Sequence, residues 1–157
     1  MNEHKKFIRM AIELSIQKMN EGFGGPFGAV VVKNGKVIAE GWNQVTSSND
    51  PTMHAEISAI RKACQHLKDF QLKDCVLYTS CEPCPMCLGA IYWARPEAVY
   101  YANSRYDAEN IGFDDEFIYK ELVLPVNKRK LKMYQLRDEL AIQAFEMWKN
   151  KDDKILY

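Results

Sequence analysis

Two segments far apart in the chain set its strongest demand: His54-Ala55-Glu56 and Cys81-Glu82-Pro83-Cys84-Pro85-Met86-Cys87. Thiolates from Cys84 and Cys87 converge on one ion from a single turn of chain, and a histidine from elsewhere gives a third ligand. Three protein ligands leave a tetrahedral zinc one open position for water, the arrangement of a catalytic rather than a structural ion. Glu56, two residues past His54, puts a carboxylate beside that position. Any fold for this chain has to bring residue 54 to residues 84 and 87.

The rest of the pattern shows how. Residues 4–20 predict an amphipathic helix, with Phe7, Met10, Ala11 and Leu14 inward and Lys5, Lys6, Arg9, Glu13 and Gln17 outward. Gly22, Gly24, Gly25 and Pro26 break it. Phe27 to Lys33 is an apolar strand, Asn34-Gly35 a two-residue hairpin turn whose residues tolerate positive φ, and Lys36 to Asn43 the returning strand. A polar loop, residues 46–51, leads to a helix of about fourteen residues opening at His54, with Asp50 or Thr52 as N-cap. Cys75 to Thr79 is an apolar run without alternation, as a strand covered on both faces requires. Pro85 marks a first helical turn, Arg95-Pro96 ends that helix, and Ala98 to Ala102 is the next strand. Residues 104–115 read as loop, 116–122 as helix, 133–136 as a last strand, and 138–149 as a last helix with Leu140, Phe145 and Trp148 inward. Lys151 to Lys154 is a solvated tail ended by Ile155-Leu156-Tyr157.

Strands alternating with helices predict an α/β fold: a sheet of about five strands with helices on both faces. Ligands of such sheets gather where strands end and helices start, and both candidate ligand segments lie at helix starts. The 157 residues fit one domain, 1–157, with a sizeable core. Lys+Arg and Asp+Glu number 21 each, a zero balance that disfavours a polyanion as main partner. No run reaches the ~18 apolar residues that span a bilayer, and the start lacks a signal-peptide core; the expected location is cytoplasmic, with no membrane partner. Five cysteines, three of them within seven residues, suit reduced thiols with a metal use better than a disulfide scaffold. Cys64 and Cys75 are expected in the core, and His4 and His66 at the surface.

Two thiolates cancel the formal charge of a zinc held by His54, Cys84 and Cys87, so its water needs help to ionise. Glu56 supplies that help as base and then passes the proton on. Other readings of the cysteines are a structural zinc with Cys81 as fourth ligand, and a redox pair. Glu56 separates them, since a closed structural site has no use for a carboxylate beside an open position.

The same residues carry a resemblance. His54-Ala55-Glu56 with Pro83-Cys84-Pro85-Met86-Cys87 is the signature of zinc nucleobase and nucleoside deaminases. Together with Gly24-Gly25-Pro26-Phe27-Gly28-Ala29, Ser48-Asn49-Asp50-Pro51-Thr52, Ala90 to Pro96 and Gly112-Phe113-Asp114-Asp115, it resembles the bacterial guanine deaminases of the zinc-dependent cytidine/deoxycytidylate deaminase superfamily. The resemblance implies a three-layer α/β/α sandwich with a mixed sheet, one Zn2+ per subunit, and hydrolysis of guanine to xanthine and ammonia by hydroxide attack on the amino-bearing carbon. It implies zinc on His54, Cys84 and Cys87, proton shuttling by Glu56, and Asp115 on the guanine edge or assisting proton transfer. Asn43, Phe27, Ala55 and Trp93 would contact the purine. Tyr157 would close the pocket from a tail at about 150–157 that homodimer subunits exchange. The region 123–150 matches weakly, and the tail is more apolar than the charged tails of that subgroup. Alternatives are a tRNA adenosine deaminase, another nucleobase or nucleotide deaminase, and a non-catalytic zinc-stabilised binding module. Zero net charge and the lack of a basic C-terminal helix oppose the tRNA reading; Lys128-Arg129-Lys130 and Lys132 suit a solvated loop.

Overall fold

The structure, a computed structural model, describes residues 3–157; Met1 and Asn2, which open the expected 1–157 domain, lie outside the described residues. The chain divides into two compact units, the first ending at Ile118 and the second running Tyr119–Tyr157. The first contains α1 (Glu3–Asn20), β1 (Gly28–Lys33), β2 (Lys36–Trp42), α2 (Val45–Ser48), α3 (Ala55–Leu67), β3 (Cys75–Cys81), α4 (Pro85–Ala94), β4 (Ala98–Asn103) and α5 (Arg105–Asn110). The boundary falls inside α6 (Glu116–Leu122), and the second unit continues with a 3-10 turn at Val126–Lys128 and α7 (Glu139–Lys149).

The sheet has four strands in the order β2-β1-β3-β4. β1 is antiparallel to β2 and β3, and β3 is parallel to β4. β1 and β3 are buried on both faces because their alternate side chains feed two cores. Val30, Val32 and Tyr78 meet Phe7 of α1; Ala29, Val31 and Leu77 meet Ala55, Ala59, Ile91 and Ala94 of α3 and α4. Covering Phe7 alone contributes about 1.5–3 kcal/mol. The result is the mixed three-layer α/β/α sandwich that the sequence implied. Asn34 and Gly35 sit at φ 50° and 72°, the left-handed pair that this hairpin turn requires.

One close approach sets the site's geometry. A Cβ at Gly41 on β2 would lie 2.1 Å from the Ala55 carbonyl oxygen and 2.4 Å from the Ala59 nitrogen. The start of α3 therefore rests directly on the strand backbone, which places His54 at the sheet's rim.

Several details differ from expectation. Residues 133–136 form no strand, leaving four strands rather than about five; an extended segment joins a sheet only through a ladder. Leu140, Phe145 and Trp148 of α7 are exposed, not inward, and no α7 residue is buried. The 104–115 segment contains α5, started by a reciprocal capping box between Ser104 and Asp107. His54 itself, not Asp50 or Thr52, is the residue before α3's first turn. His4 Nδ1 lies 2.8 Å from the Tyr78 hydroxyl, and its ring stacks on Tyr100. Cys75 is buried and Cys64 partly so, as core residues. No helix among the described residues is long and apolar enough to cross a membrane.

Gly41→Ala is expected to lower unfolding stability by about 1–3 kcal/mol, since the added carbon meets backbone that has to move. Gly89→Ala, on α4 with open space at its Cβ, should be neutral or gain up to about 1 kcal/mol from helix propensity. Denaturant midpoints of the two variants give the comparison; equal midpoints would refute the close-approach argument.

Candidate active site

Both ligand segments are helix starts in extended conformation. His54 precedes α3 with φ −75° and ψ 158°, and Cys84 precedes α4 with φ −66° and ψ 168°. Each side chain therefore projects beyond its helix end instead of lying along it. Pro85 occupies the first turn of α4 at no cost in hydrogen bonds, and Cys87 follows on that turn, fully buried.

The ligand atoms of His54, Cys84 and Cys87 lie within 4.8 Å of one another, with both sulfurs 3.5 Å from His54 Nδ1. A tetrahedral zinc with bonds of about 2.3 Å to sulfur and 2.0–2.1 Å to nitrogen separates those atoms by about 3.5 Å. The residues fit the ion. The thiols make the same point chemically. Cys84 falls to about 4, chiefly because the Cys87 thiol donates to it and His54 adds a second bond, while Cys87 is pushed up by the same pairing and by burial. His54 is raised, first by its bond to Cys84. Two sulfurs and an imidazole share protons where one dication would replace them.

Glu56, in α3's first turn, is buried against this cluster. Its Oε1 accepts a hydrogen bond from the Thr79 hydroxyl at 3.2 Å, and its Oε2 lies 3.5 Å from Cys87 Sγ. Burial, above all, raises its pKa, the direction a proton carrier requires. Cys81 is not part of the metal group; its thiol is buried, approaches the Ser104 carbonyl oxygen and is pushed up to about 11 by burial.

A cavity of about 410 Å³ opens over Glu56, His54 and Cys84, within the range of small-ligand sites. Asn43 and Phe27 form one wall, Phe113, Asp114 and Asp115 another. Asn43 Oδ1 accepts from the Gly25 and Val45 amides, both at 3.2 Å. That fixes the carboxamide's orientation and leaves its NH2 as the group on offer. A Cβ at Gly24 would lie 2.3 Å from Asn43 Oδ1, so only glycine fits there. Phe27 meets Phe113 edge to face at 4.8 Å. Asp115 carries a buried Oδ1 with no hydrogen-bond partner, and burial is the main cause of its raised pKa.

Of the expected site residues, His54, Glu56, Cys84, Asn43, Phe27 and Asp115 line the cavity, and Cys87 lies behind Cys84 in the metal group. Ala55 is buried and Trp93, on α4, is 62% exposed; neither is on the cavity wall. Tyr157 ends the second unit, 69% exposed. Sequence reasoning missed Thr79 and Glu82. Thr79 lies two residues past Leu77 and so shares its face, while Glu82 gives no signal beyond its place between Cys81 and Pro83.

The family model described as cytidine and deoxycytidylate deaminase zinc-binding region matches residues 1–103. A guanine deaminase of Bacillus subtilis is 56% identical over 98% of this chain and 99% of its own. The X-ray structure of guanine deaminase from that organism superposes with a TM-score of 0.96 at 56% identity, covering 100% of this chain and 99% of that one. A tRNA-specific adenosine deaminase of Buchnera aphidicola is 38% identical over 80% of this chain and 82% of its own.

In metal-free protein Cys84 should be alkylated by iodoacetamide at a rate independent of pH between about 6 and 8, because its thiolate persists down to about 4. Reloading with zinc should protect it, and Cys81 should stay unlabelled. Peptide mapping that finds Cys84 labelling rising with pH, as for an ordinary thiol, would reject the pairing.

Proposed function

We infer the reaction from the family: the chain belongs to the cytidine and deoxycytidylate deaminase zinc-binding family, and what it hydrolyses is guanine, giving xanthine and ammonia. The observation that carries this is near-complete coverage, at 56% identity, of a guanine deaminase. The tRNA-specific relative is both less similar and less fully covered, and zero net charge does not suit an RNA backbone.

In the proposed mechanism His54, Cys84 and Cys87 hold zinc, which supplies a Lewis acid that makes water ionisable near neutral pH. Glu56 takes one proton from the attacking water and delivers it to the ring nitrogen, then takes the second from the carbon-bound hydroxyl and gives it to the leaving amine. The water oxygen bonds to the amino-bearing carbon, the carbon–amine bond breaks and ammonia departs. Thr79 holds one carboxylate oxygen of Glu56, which leaves the other to do this work. Asn43 donates its NH2 to an acceptor on the purine, Phe27 packs on the ring, and Ala55 contributes through its backbone at the start of α3. Asp115 accepts from purine N–H groups, giving its buried Oδ1 the partner it lacks.

We further propose that both units work as one deaminase domain in a cytoplasmic homodimer whose subunits exchange their tails, so that Tyr157 closes the neighbouring pocket and Trp93 packs on the purine. Large apolar side chains left exposed on the second unit support this: Leu140, Phe145 and Met147 on α7, and Ile155, Leu156 and Tyr157 beyond it.

Purified protein should release ammonia from guanine, and Glu56→Gln should lower kcat by at least ~10²-fold with zinc content unchanged. No ammonia from guanine would sink the assignment; near-native turnover by the variant would sink the shuttle. Deleting Ile155 to Tyr157 should raise KM or lower kcat at constant zinc. Mixing that deletion with Glu56→Gln should restore about a quarter of wild-type sites, as random reassortment of an exchanged two-fold dimer gives. Absence of recovery would mean that each lid serves its own subunit.

A further inference from the structure

We propose that Arg105 is a positioning residue: it ties the turn bearing the metal-ligating cysteines to the Asp115 carboxylate, and binding of the purine at Asp115 depends on it. The inference rests on the guanine reading of the cavity.

Three helix starts meet on this side of the site: α4 just after Glu82, α5 at Arg105 and α6 at Glu116. The Arg105 amide donates to Glu82 Oε2 at 3.0 Å, and the Glu82 amide donates to the Asn103 carbonyl at 2.8 Å. These two bonds fasten the start of α5 to the cysteine turn. The Arg105 side chain runs the other way, its Nε 3.3 Å from Glu116 Oε2 as a charge pair, with the two side chains 27% and 20% exposed. Glu116 adjoins Asp115, a residue of the cavity wall whose buried Oδ1 has no hydrogen-bond partner.

Before Asp115 the segment is placed by Phe113 packing on Phe27, and its backbone hydrogen bonds are local. The amides of Ile111, Gly112 and Phe113 bond back to Ala108 and Glu109 of the preceding helix, and Ala108 is the buried residue of α5. Local bonds of this kind hold a loop's shape but not its placement against the metal turn. A partly shielded charge pair supplies placement, because it is screened less than an exposed one. The guanidinium also opposes burial by favouring the charged form of Asp115. One residue thus uses its backbone towards the cysteines and its side chain towards Glu116, next to Asp115, with a further hydrogen bond to the Tyr106 hydroxyl at 3.2 Å.

Arg105→Met tests this, since it removes the guanidinium and leaves the amide that Glu82 accepts. It should raise the KM for guanine by roughly tenfold, with kcat within about threefold and zinc content unchanged, the size of effect seen when an outer-shell partner is lost. Equilibrium binding of the product xanthine should weaken in parallel. Glu116→Gln, which cuts the pair from its other end, should give the same loss, and Arg105→Lys should recover part of it. Added to Asp115→Asn, Arg105→Met should cost nothing further, because both act through one carboxylate. A guanine KM within about twofold of wild type in both single variants, or losses that add in full, would overturn the proposal. Wild-type protein inert towards guanine would overturn the guanine reading and this inference together; active wild type with unaffected variants overturns this inference alone.

Discussion

Everything in the first unit follows from bringing one imidazole nitrogen within 3.5 Å of two sulfurs carried by a different helix. The chain achieves it by ending both connections at the same rim of the sheet and letting each ligand precede a helix in extended conformation. That contact tolerates little error. The bare backbone at Gly41 sets the height of α3, and Pro85 fixes the first turn of α4, so each ligand is aimed by main chain and not by a flexible side-chain stem. The two cores, one on each face of β1 and β3, keep the rim from shifting.

The electrostatics follow from the same crowding. Removing a carboxylate from water beside two sulfurs disfavours its charge, and Glu56 is raised for that reason before any other. Asp115 is raised by burial as well, but a nearby arginine pulls the other way. Glu56 and Asp115 thus sit in different surroundings, one against the metal cluster and one across the cavity.

Much of this was legible in the sequence because it rests on local rules. The metal group needed only ligand spacing, the hairpin only Asn34-Gly35, and the doubly covered β3 only an apolar run without alternation. The architecture followed from the order of elements. What was not legible depends on distant partners. Residues 133–136 have strand-like composition, yet a strand requires a ladder that no local signal reports. Leu140, Phe145 and Trp148 have the spacing of a buried face, but spacing does not name what buries it. Thr79 shares a face with Leu77 by strand alternation, but no local signal shows that Glu56 lies over that face. The start of α5 is the opposite case: Ser104 and Asp107 stand at capping-box spacing, a local signal for a helix start inside a segment of loop-like composition.

Asn43 has one further consequence. With its oxygen engaged by two backbone amides, the carboxamide cannot flip, and the cavity wall there has a single polarity. A heterocycle with a lone pair at that edge is matched, while one with a hydrogen leaves two donors facing each other away from water. Sites that bury a fixed polar group discriminate by roughly 10⁴–10⁵, far beyond what a change in pocket size achieves. If Asn43 meets the base as proposed, tautomeric form, more than ring size, would be the property by which this wall sorts aminated bases. Glycine at position 24, an inert residue by composition, makes the locked amide possible by yielding the space that it occupies.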